Sequence, residues 1–368
     1  MAMNEEERIP LDAPCLIGNE KKYLNHCIDT NWVSWQGEFT GKTEKALAAY
    51  CNTKHCLTVV NGTAALVLAL QVLGIGPNDE VIVPTLTMSA TAFAVTTVGA
   101  TIVWADSTQN GLTISLEDVA QKISNRTKAV MAVHLYGRAV DMKSLLKITE
   151  PRGCCVIEDV AEGLGAITSG KKVGSWGTIG CHSFHNKIVA SGEGGAITTN
   201  DDTLAKKIEE LRTPPPDNLG STKVVLNNRM SNISCAVALA QLERIEKLIA
   251  KRRKVAALYD EYFKNAKGIH IFPEREGERC VYWRYQIAVT DKYPLTKEKL
   301  VSKLMEHNVE ARPIFTLMSE NPCYIKASGK YTNASEISAR SIDLPSSPNL
   351  TEDQVKRVAE IILHPNNL

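Results

Sequence analysis

Five short apolar runs, each set apart from the next by a helix-length stretch, constrain this chain more than any other feature. They occupy residues 56–60, 80–84, 101–106 and 129–134, and the run that ends in Val156-Ile157-Glu158-Asp159. Runs that stay apolar without alternating are buried on both faces, which marks parallel strands covered by helices. Segments with helical spacing lie between them: 62–70, a start near Ser89, 116–123 and 141–148. The reading is an α/β chain with a mostly parallel central sheet. At 368 residues the chain can bury a core of that size and carry a second domain.

The flanking regions read as follows. Residues 9–41 form an arm and an opening helix, with Asn19 as its N-cap. A second helix covers 43–50. A charged helix over 202–211 runs into Arg212-Thr213-Pro214-Pro215-Pro216, which cannot continue it, so 212–218 is a linker or mobile loop. Residues 233–265 make one long helix or two. From about 251 a smaller α/β domain follows: a strand at 281–289, a helix at 297–307, a strand or loop at 309–315, a strand near 342–346 and a last helix at 352–362. The expected division is a large domain with its arm, 1–250, and a small domain, 251–368.

Composition excludes several classes of function. The formal net charge is +1, which gives no handle on nucleic acid or an anionic membrane. The basic run Lys251-Arg252-Arg253-Lys254 is a solvated helix face. No apolar run approaches the ~18 residues a membrane helix needs, and the acidic, polar start lacks a signal-peptide layout. Ten cysteines without a Cys-x-x-Cys pair point to reduced thiols in a cytoplasmic protein and to no metal site.

The chemistry concentrates around Lys187, within Cys181-His182-Ser183-Phe184-His185-Asn186-Lys187 and ahead of Gly192-Glu193-Gly194-Gly195. A lysine among small and apolar neighbours, with a carboxylate ending a buried strand upstream, is what pyridoxal 5'-phosphate (PLP) needs. The lysine must be partly desolvated so that its amine can be neutral and nucleophilic. A carboxylate such as Asp159 must hold the proton on the pyridine nitrogen. Strand ends are where ligands bind in open α/β sheets. A third element is Asn61-Gly62-Thr63, where a strand turns into an Ala/Leu-rich helix. Free N–H groups and the helix dipole there suit a phosphate.

These residues carry a family resemblance. Asp159-Val160-Ala161-Glu162, then Ser183-Phe184, then Lys187 five residues before the glycine turn, resemble the DegT/DnrJ/EryC1/StrS sugar aminotransferases. The resemblance covers nearly the whole chain. It implies fold type I of the PLP enzymes and action on nucleotide-linked keto sugars, with glutamate as amino donor and pyridoxamine phosphate formed during turnover. Lys187 would be the catalytic residue that holds PLP. Gly62, Thr63 and Ser183 would bind its phosphate, Asp159 its pyridine nitrogen, and Glu162 would approach its phenolic oxygen. Met88 stands where relatives place an aromatic ring over the cofactor. Asn227 matches an asparagine that reaches the neighbouring subunit's cofactor phosphate, although Leu226 and Asn228 stand where aromatic residues are usual. That match implies a homodimer with shared sites. Trp35, His185, Arg312 and Phe315 would face the substrate. Ser319 stands where relatives often carry histidine.

Within the family, 18–25, Trp32-Val33-Ser34, Arg229-Met230-Ser231-Asn232 and Arg312-Pro313-Ile314-Phe315 look like the 4-aminotransferases of GDP-linked sugars. The implied reaction turns a nucleotide-linked 4-keto-6-deoxyhexose into a 4-amino-4,6-dideoxyhexose for polysaccharide biosynthesis. Alternatives stay open: a 3-aminotransferase, a 3-dehydratase (relatives with histidine for the lysine, with His185 nearby), or a PLP-binding sensor without turnover. The nucleotide and the sugar's stereochemistry are not legible.

Overall fold

The computed structural model describes residues 7–109, 111–213, 225–324 and 329–365. Its main sheet has seven strands: β1 (His55–Val59), β2 (Glu80–Pro84), β3 (Thr101–Ala105), β4 (Thr127–Val133), β5 (Cys155–Asp159), β6 (Ile179–Ser183) and β7 (Gly195–Thr199). They lie in the order β1-β7-β6-β5-β4-β2-β3. Strand β7 is antiparallel to both its neighbours; every other pairing is parallel. The reason is the link from β6 to β7, residues 184–194, which carries Lys187. A parallel return needs a crossover of a dozen or more residues, usually a helix, and this link contains none. The chain therefore folds straight back. Because β1 is antiparallel to β7, it points the same way as β6. The C-terminal ends of β1, β2, β4, β5 and β6 thus share one edge.

The apolar runs do not alternate because both faces of the sheet are covered. Val81, Val83, Ala129, Met131 and Ile157 enter one core, with Ala65, Leu66 and Ala69 of the Gly62–Val72 helix. Their neighbours Ile82, Val130, Ala132 and Val156 enter another, with Val119, Met142 and Leu145. Each fully buried aliphatic side chain contributes roughly 1.5–3 kcal/mol relative to exposure. A polar substitution at any of these strand positions would strand a group between helix and sheet.

A second, four-stranded antiparallel sheet orders Ile269–Ile271, Tyr285–Val289, Ser341–Leu344 and Arg312–Pro313. Helices Ile245–Phe263, Lys297–Glu306 and Glu352–Leu363 supply its core with Val255, Tyr259, Leu300, Leu304 and Val358. Ile9 joins that same core, and its backbone is stitched to Asn308 and Glu310 (both 2.9 Å). The first described residues therefore pack against the C-terminal sheet.

Several local expectations change. The 233–265 stretch is two helices, Asn232–Leu242 and Ile245–Phe263. Asn19 makes no capping bond; Glu20 accepts from Gly18 N (2.7 Å) instead, while Asn19 donates to Glu243 (2.7 Å). The strand expected at 281–289 spans only Tyr285–Val289. Residues 281–283 leave the sheet because Val281 N and Trp283 N donate to Gly137 O (3.0 Å) and Tyr136 O (3.1 Å). The loop expected at 212–218 lies outside the described residues beyond Thr213. Among the described residues no helix is long and apolar enough to cross a membrane, and no His/Cys/Asp/Glu group could hold a metal.

Candidate active site

A cavity of about 290 Å³ opens at the shared strand edge. Gly62, Thr63, Met88, Asp159, Glu162, Ser183, His185 and Lys187 all line it, eight of the residues named from sequence. Three parts of it have distinct chemistry.

The first is a helix start. Asn61 is extended (φ −167°), and its side chain accepts from Ala64 N (2.8 Å) while its carbonyl accepts from Ala65 N (3.1 Å). Helix geometry leaves the N–H groups of Gly62 and Thr63 without intrahelical partners. No acidic residue sits in this first turn, so nothing offsets its positive end. Gly62 is held close to β6: a Cβ there would lie 2.8 Å from Ser183 Cβ. Two N–H groups and the Ser183 hydroxyl thus converge as an anion cradle.

The second part is Asp159, at the end of β5. One carboxylate oxygen accepts from the Thr91 hydroxyl (2.7 Å), the other from Ala161 N (3.1 Å). Burial pushes this carboxyl above its ordinary range, and the two donors pull it only part of the way back. Among the described residues Asp159 has no ion-pair partner. A buried carboxylate held only by neutral donors fits a ligand that brings a positive charge, such as a protonated pyridine nitrogen.

The third part is Lys187, 8% exposed, on the turn after β6. Asn186 before it is left-handed (φ +41°). The lysine Nζ donates to Glu162 Oε1 (3.2 Å) and lies 3.4 Å from the centroid of the Trp283 ring. The second oxygen of Glu162 accepts from Tyr136 N (2.8 Å). The set fits PLP: a cradle for its phosphate, a carboxylate for its nitrogen and a buried amine to hold it.

Met88 caps the Ser89–Thr97 helix, and its sulfur accepts from Ala90 N (3.1 Å). The thioether is thereby held toward its own helix while lining the cavity. His185 sits at the exposed side, its Nδ1 near Gly192 O (3.0 Å) and Glu193 Oε1 (3.2 Å).

Behind Asp159 lies a buried pair, His134 and Glu158. His134 Nδ1 accepts from Val140 N (3.1 Å), so Nε2 carries the proton and faces Glu158 Oε2 (3.1 Å). Glu158 also accepts from the N–H groups of Gly174, Trp176 and Gly177 (2.8 Å each). Burial pushes the Glu158 carboxyl up, but His134 and these N–H groups outweigh it and hold it below its ordinary range. His134 is a satisfied strand-end histidine.

Four of the residues expected at the site do not line the cavity: Trp35, Asn227, Arg312 and Phe315. Trp35 and Asn227 meet at Arg229, whose guanidinium lies over the Trp35 ring (4.5 Å) and whose Nε donates to Asn227 (2.9 Å). Phe315 stacks on Tyr136 (5.3 Å, 12°), and Tyr136 on Trp283 (6.2 Å, 11°). Arg312 lies over Phe315 (5.9 Å) with its Nε 3.4 Å from Asp343. These two are therefore linked to the Lys187 amine through a stack of rings. Ser319 is buried and bonds the Thr85 hydroxyl (2.6 Å) rather than lining the cavity.

Thr91, Tyr136, Trp283 and Asp343 were not singled out from sequence. Thr91 had a signal: a hydroxyl in the first turn of a helix that starts at a strand end. Tyr136 and Trp283 had none, because their roles depend on pairing between segments about 145 residues apart. Asp343 is buried beneath Arg284 (3.1 Å) and Gln286 (3.0 Å) in a segment that reads as plain strand.

Comparison with known proteins gives matches over nearly the whole chain. Residues 14–363 match the DegT/DnrJ/EryC1/StrS aminotransferase family. The GDP-perosamine synthase of Caulobacter vibrioides is 40% identical over 362 residues, 97% of this chain and 98% of the relative. That of Vibrio cholerae is 38% identical over 360 residues, 96% and 98% of the two chains. Among solved structures, Streptococcus pneumoniae Spr1654 in its PMP form superposes with a TM-score of 0.90 over 97% of each chain at 23% identity. At that identity the likeness speaks for the fold.

Proposed function

Because the chain belongs to the DegT/DnrJ/EryC1/StrS aminotransferase family, we propose that it moves the amino group of glutamate to C4 of a nucleotide-linked 4-keto-6-deoxyhexose. The product is a 4-amino-4,6-dideoxyhexose for polysaccharide biosynthesis. One observation carries this reading: a buried lysine, a buried carboxylate without a cation and a helix-start anion cradle line one cavity. The two GDP-perosamine synthases, alike over nearly their whole length, favour C4 and make GDP the first nucleotide to try.

When bound, PLP would supply an aldehyde carbon able to carry an amino group and an electron-withdrawing ring beside it. The protein does the rest. Gly62, Thr63 and Ser183 would hold the phosphate, and Met88 would lie beside the ring. Asp159 would keep the proton on the pyridine nitrogen, with Thr91 fixing its carboxylate. Glu162 would approach the phenolic oxygen. Lys187 holds the cofactor and, when free, takes the proton from Cα of glutamate and later delivers one to the sugar carbon. General acid–base transfer of this kind contributes about 10²–10⁴-fold.

The nucleotide sugar is assigned to the side of Trp35, His185, Arg312 and Phe315. We assign the chain to a homodimer in which Asn227 completes the partner's phosphate cradle. Asn227 is exposed, outside its own cavity and beside Leu226, which is 68% exposed. The working division is 1–250 and 251–368, with the segment around Ile9 lent to the smaller part. A cytoplasmic location fits ten free cysteines, eight of them buried.

The test is a direct assay. Purified protein, PLP and glutamate are offered GDP-, UDP- and dTDP-linked 4-keto-6-deoxyhexoses, with 2-oxoglutarate and the amino sugar followed by mass spectrometry and NMR. A 4-amino product with one nucleotide supports the proposal. A 3-amino product from the 3-keto isomers, offered alongside, or a 3-deoxy product replaces it with the corresponding alternative, and absence of any turnover rejects it.

A further inference from the structure

The Lys187 amine has two close neighbours, and the reading above gives a task to only one, Glu162. The other is Trp283. Resting on that reading, we propose that Trp283 is a positioning residue for Lys187. Its ring is the seat of the lysine amine whenever that amine is not bonded to the cofactor, and its indole N–H fixes the turn that carries the lysine.

The backbone goes out of its way to place this ring. Residues 281–283 leave the C-terminal sheet to pair with the 136–137 turn, and Tyr282 turns left-handed (φ +48°). The pairing requires glycine at 137. A Cβ there would lie 2.7–3.0 Å from Val281 Cγ2, Tyr282 N and Trp283 N, and the residue has φ +91°.

The indole N–H then points between Asn186 O and Asp12 Oδ2, each 3.0 Å away. Asn186 is left-handed without being glycine and immediately precedes Lys187. The bond to its carbonyl holds that turn in place. Asp12 is fixed from behind by Arg252 (3.0 Å), which is 2% exposed, against the solvated face expected of 251–254, and also donates to Trp283 O (2.8 Å) and Ser346 O (3.0 Å). The N-terminal arm, the Ile245–Phe263 helix and the departing strand all converge on one indole.

The ring suits the task. An ammonium 3.4 Å from an aromatic centroid is attracted by the ring's quadrupole, and burial strengthens this. Glu162 balances the charge, while the ring sets the direction of the amine. An indole face neither takes the lysine's proton nor reacts with an aldehyde, so it holds the amine without competing for its chemistry. A tryptophan serving the fold alone would need burial and an N–H partner, but no ammonium on its face.

The experiment separates the ring from the N–H. Trp283→Phe keeps an aromatic face and loses the N–H; Trp283→Leu and Trp283→Met lose both. In the PLP-free protein, Lys187 is labelled with trinitrobenzenesulfonate and read by peptide mass spectrometry against exposed Lys207. We expect about tenfold faster labelling of Lys187 in the Leu and Met variants and at most about twofold in the Phe variant. In the loaded enzyme, Leu and Met should lower kcat about tenfold with KM for glutamate little changed, and Phe should retain most of kcat. Wild-type labelling in Leu and Met, or Phe equal to them in both readouts, overturns the proposal. If wild-type protein fails to transaminate, the aminotransferase reading fails, while labelling still reports whether Trp283 seats the amine.

Discussion

At the helix end of the cavity, Asn61, Gly62 and Thr63 are consecutive residues whose capping bonds stay within four positions. At the amine end, Lys187 is fixed by Glu162 and Trp283, and these in turn by Tyr136 and Asp12. One end is local and the other is assembled from five separate stretches of chain. The helix start itself needs only a turn and a helix to form, with Ser183 of β6 the distant contribution to its cradle. An assembled one needs the whole fold first, and it can be tuned from many places. The two ends should therefore fail differently when altered.

The largest effect is expected at the centre of the assembled end. Lys187→Ala removes the amine that holds the cofactor and moves the proton, and turnover should fall by about 10⁴-fold or more. The visible absorbance of lysine-bound cofactor should vanish with it. Substantial turnover by this variant would remove Lys187 from the mechanism. Next comes Asp159→Asn. The amide still accepts from Thr91 but carries no charge to hold a pyridinium proton, so kcat should drop about 10²–10³-fold while cofactor is retained. Titration of bound cofactor by absorbance, alongside initial rates, separates the two. An Asn variant with wild-type kcat would mean that the pyridine nitrogen is held elsewhere.

The local end predicts another pattern. Gly62→Ala places a Cβ 2.8 Å from Ser183 Cβ, so the cradle must open. The expected result is about tenfold weaker PLP binding, an effect near 1.4 kcal/mol, with kcat recovered at saturating cofactor. Equilibrium dialysis gives the affinity and steady-state assays give kcat. A lasting kcat defect at saturation would show that the cradle also aligns the reacting end, and the contrast between the two ends would blur.

The same contrast explains what could be read from sequence. Apolar runs buried on two faces, the Gly62 helix start, Asp159 at a strand end and Lys187 before its glycine turn are each written within about ten residues. Local patterns report local structure, so these were legible. The strand expected at 281–289 is the instructive error. Its residues 281–283 are as apolar and aromatic as a strand requires, yet the partner of 281 and 283 is the 136–137 turn. No periodicity encodes a partner so far along the chain. Arg312 and Phe315 entered through resemblance alone, and their link to the Lys187 amine, by stacking through Tyr136, could not be seen before the fold.

The smallest effect comes from the far side of that stack and asks whether the assembled end is tuned electrostatically. Asp343, on the strand Ser341–Leu344, is fully buried among Arg284, Gln286 and Arg312. Burial pushes its carboxyl up to about 7, against the pull of Arg284 and Gln286 and with a further push from Glu162. In the unfolded chain the same group titrates near 3.9. Between about pH 4 and 7 the folded protein thus keeps a proton that the unfolded chain has released. Stability must then fall as pH rises through that window and level off above it. Between pH 6 and 8 the loss should be on the order of 1 kcal/mol. Asp343→Asn cannot titrate, so urea unfolding over that range should give it a shallower pH slope than wild type by about that amount. Equal slopes would mean that Arg284 and Arg312 keep Asp343 charged throughout. Its role would then be a fixed anchor for the arginine assigned to the substrate side.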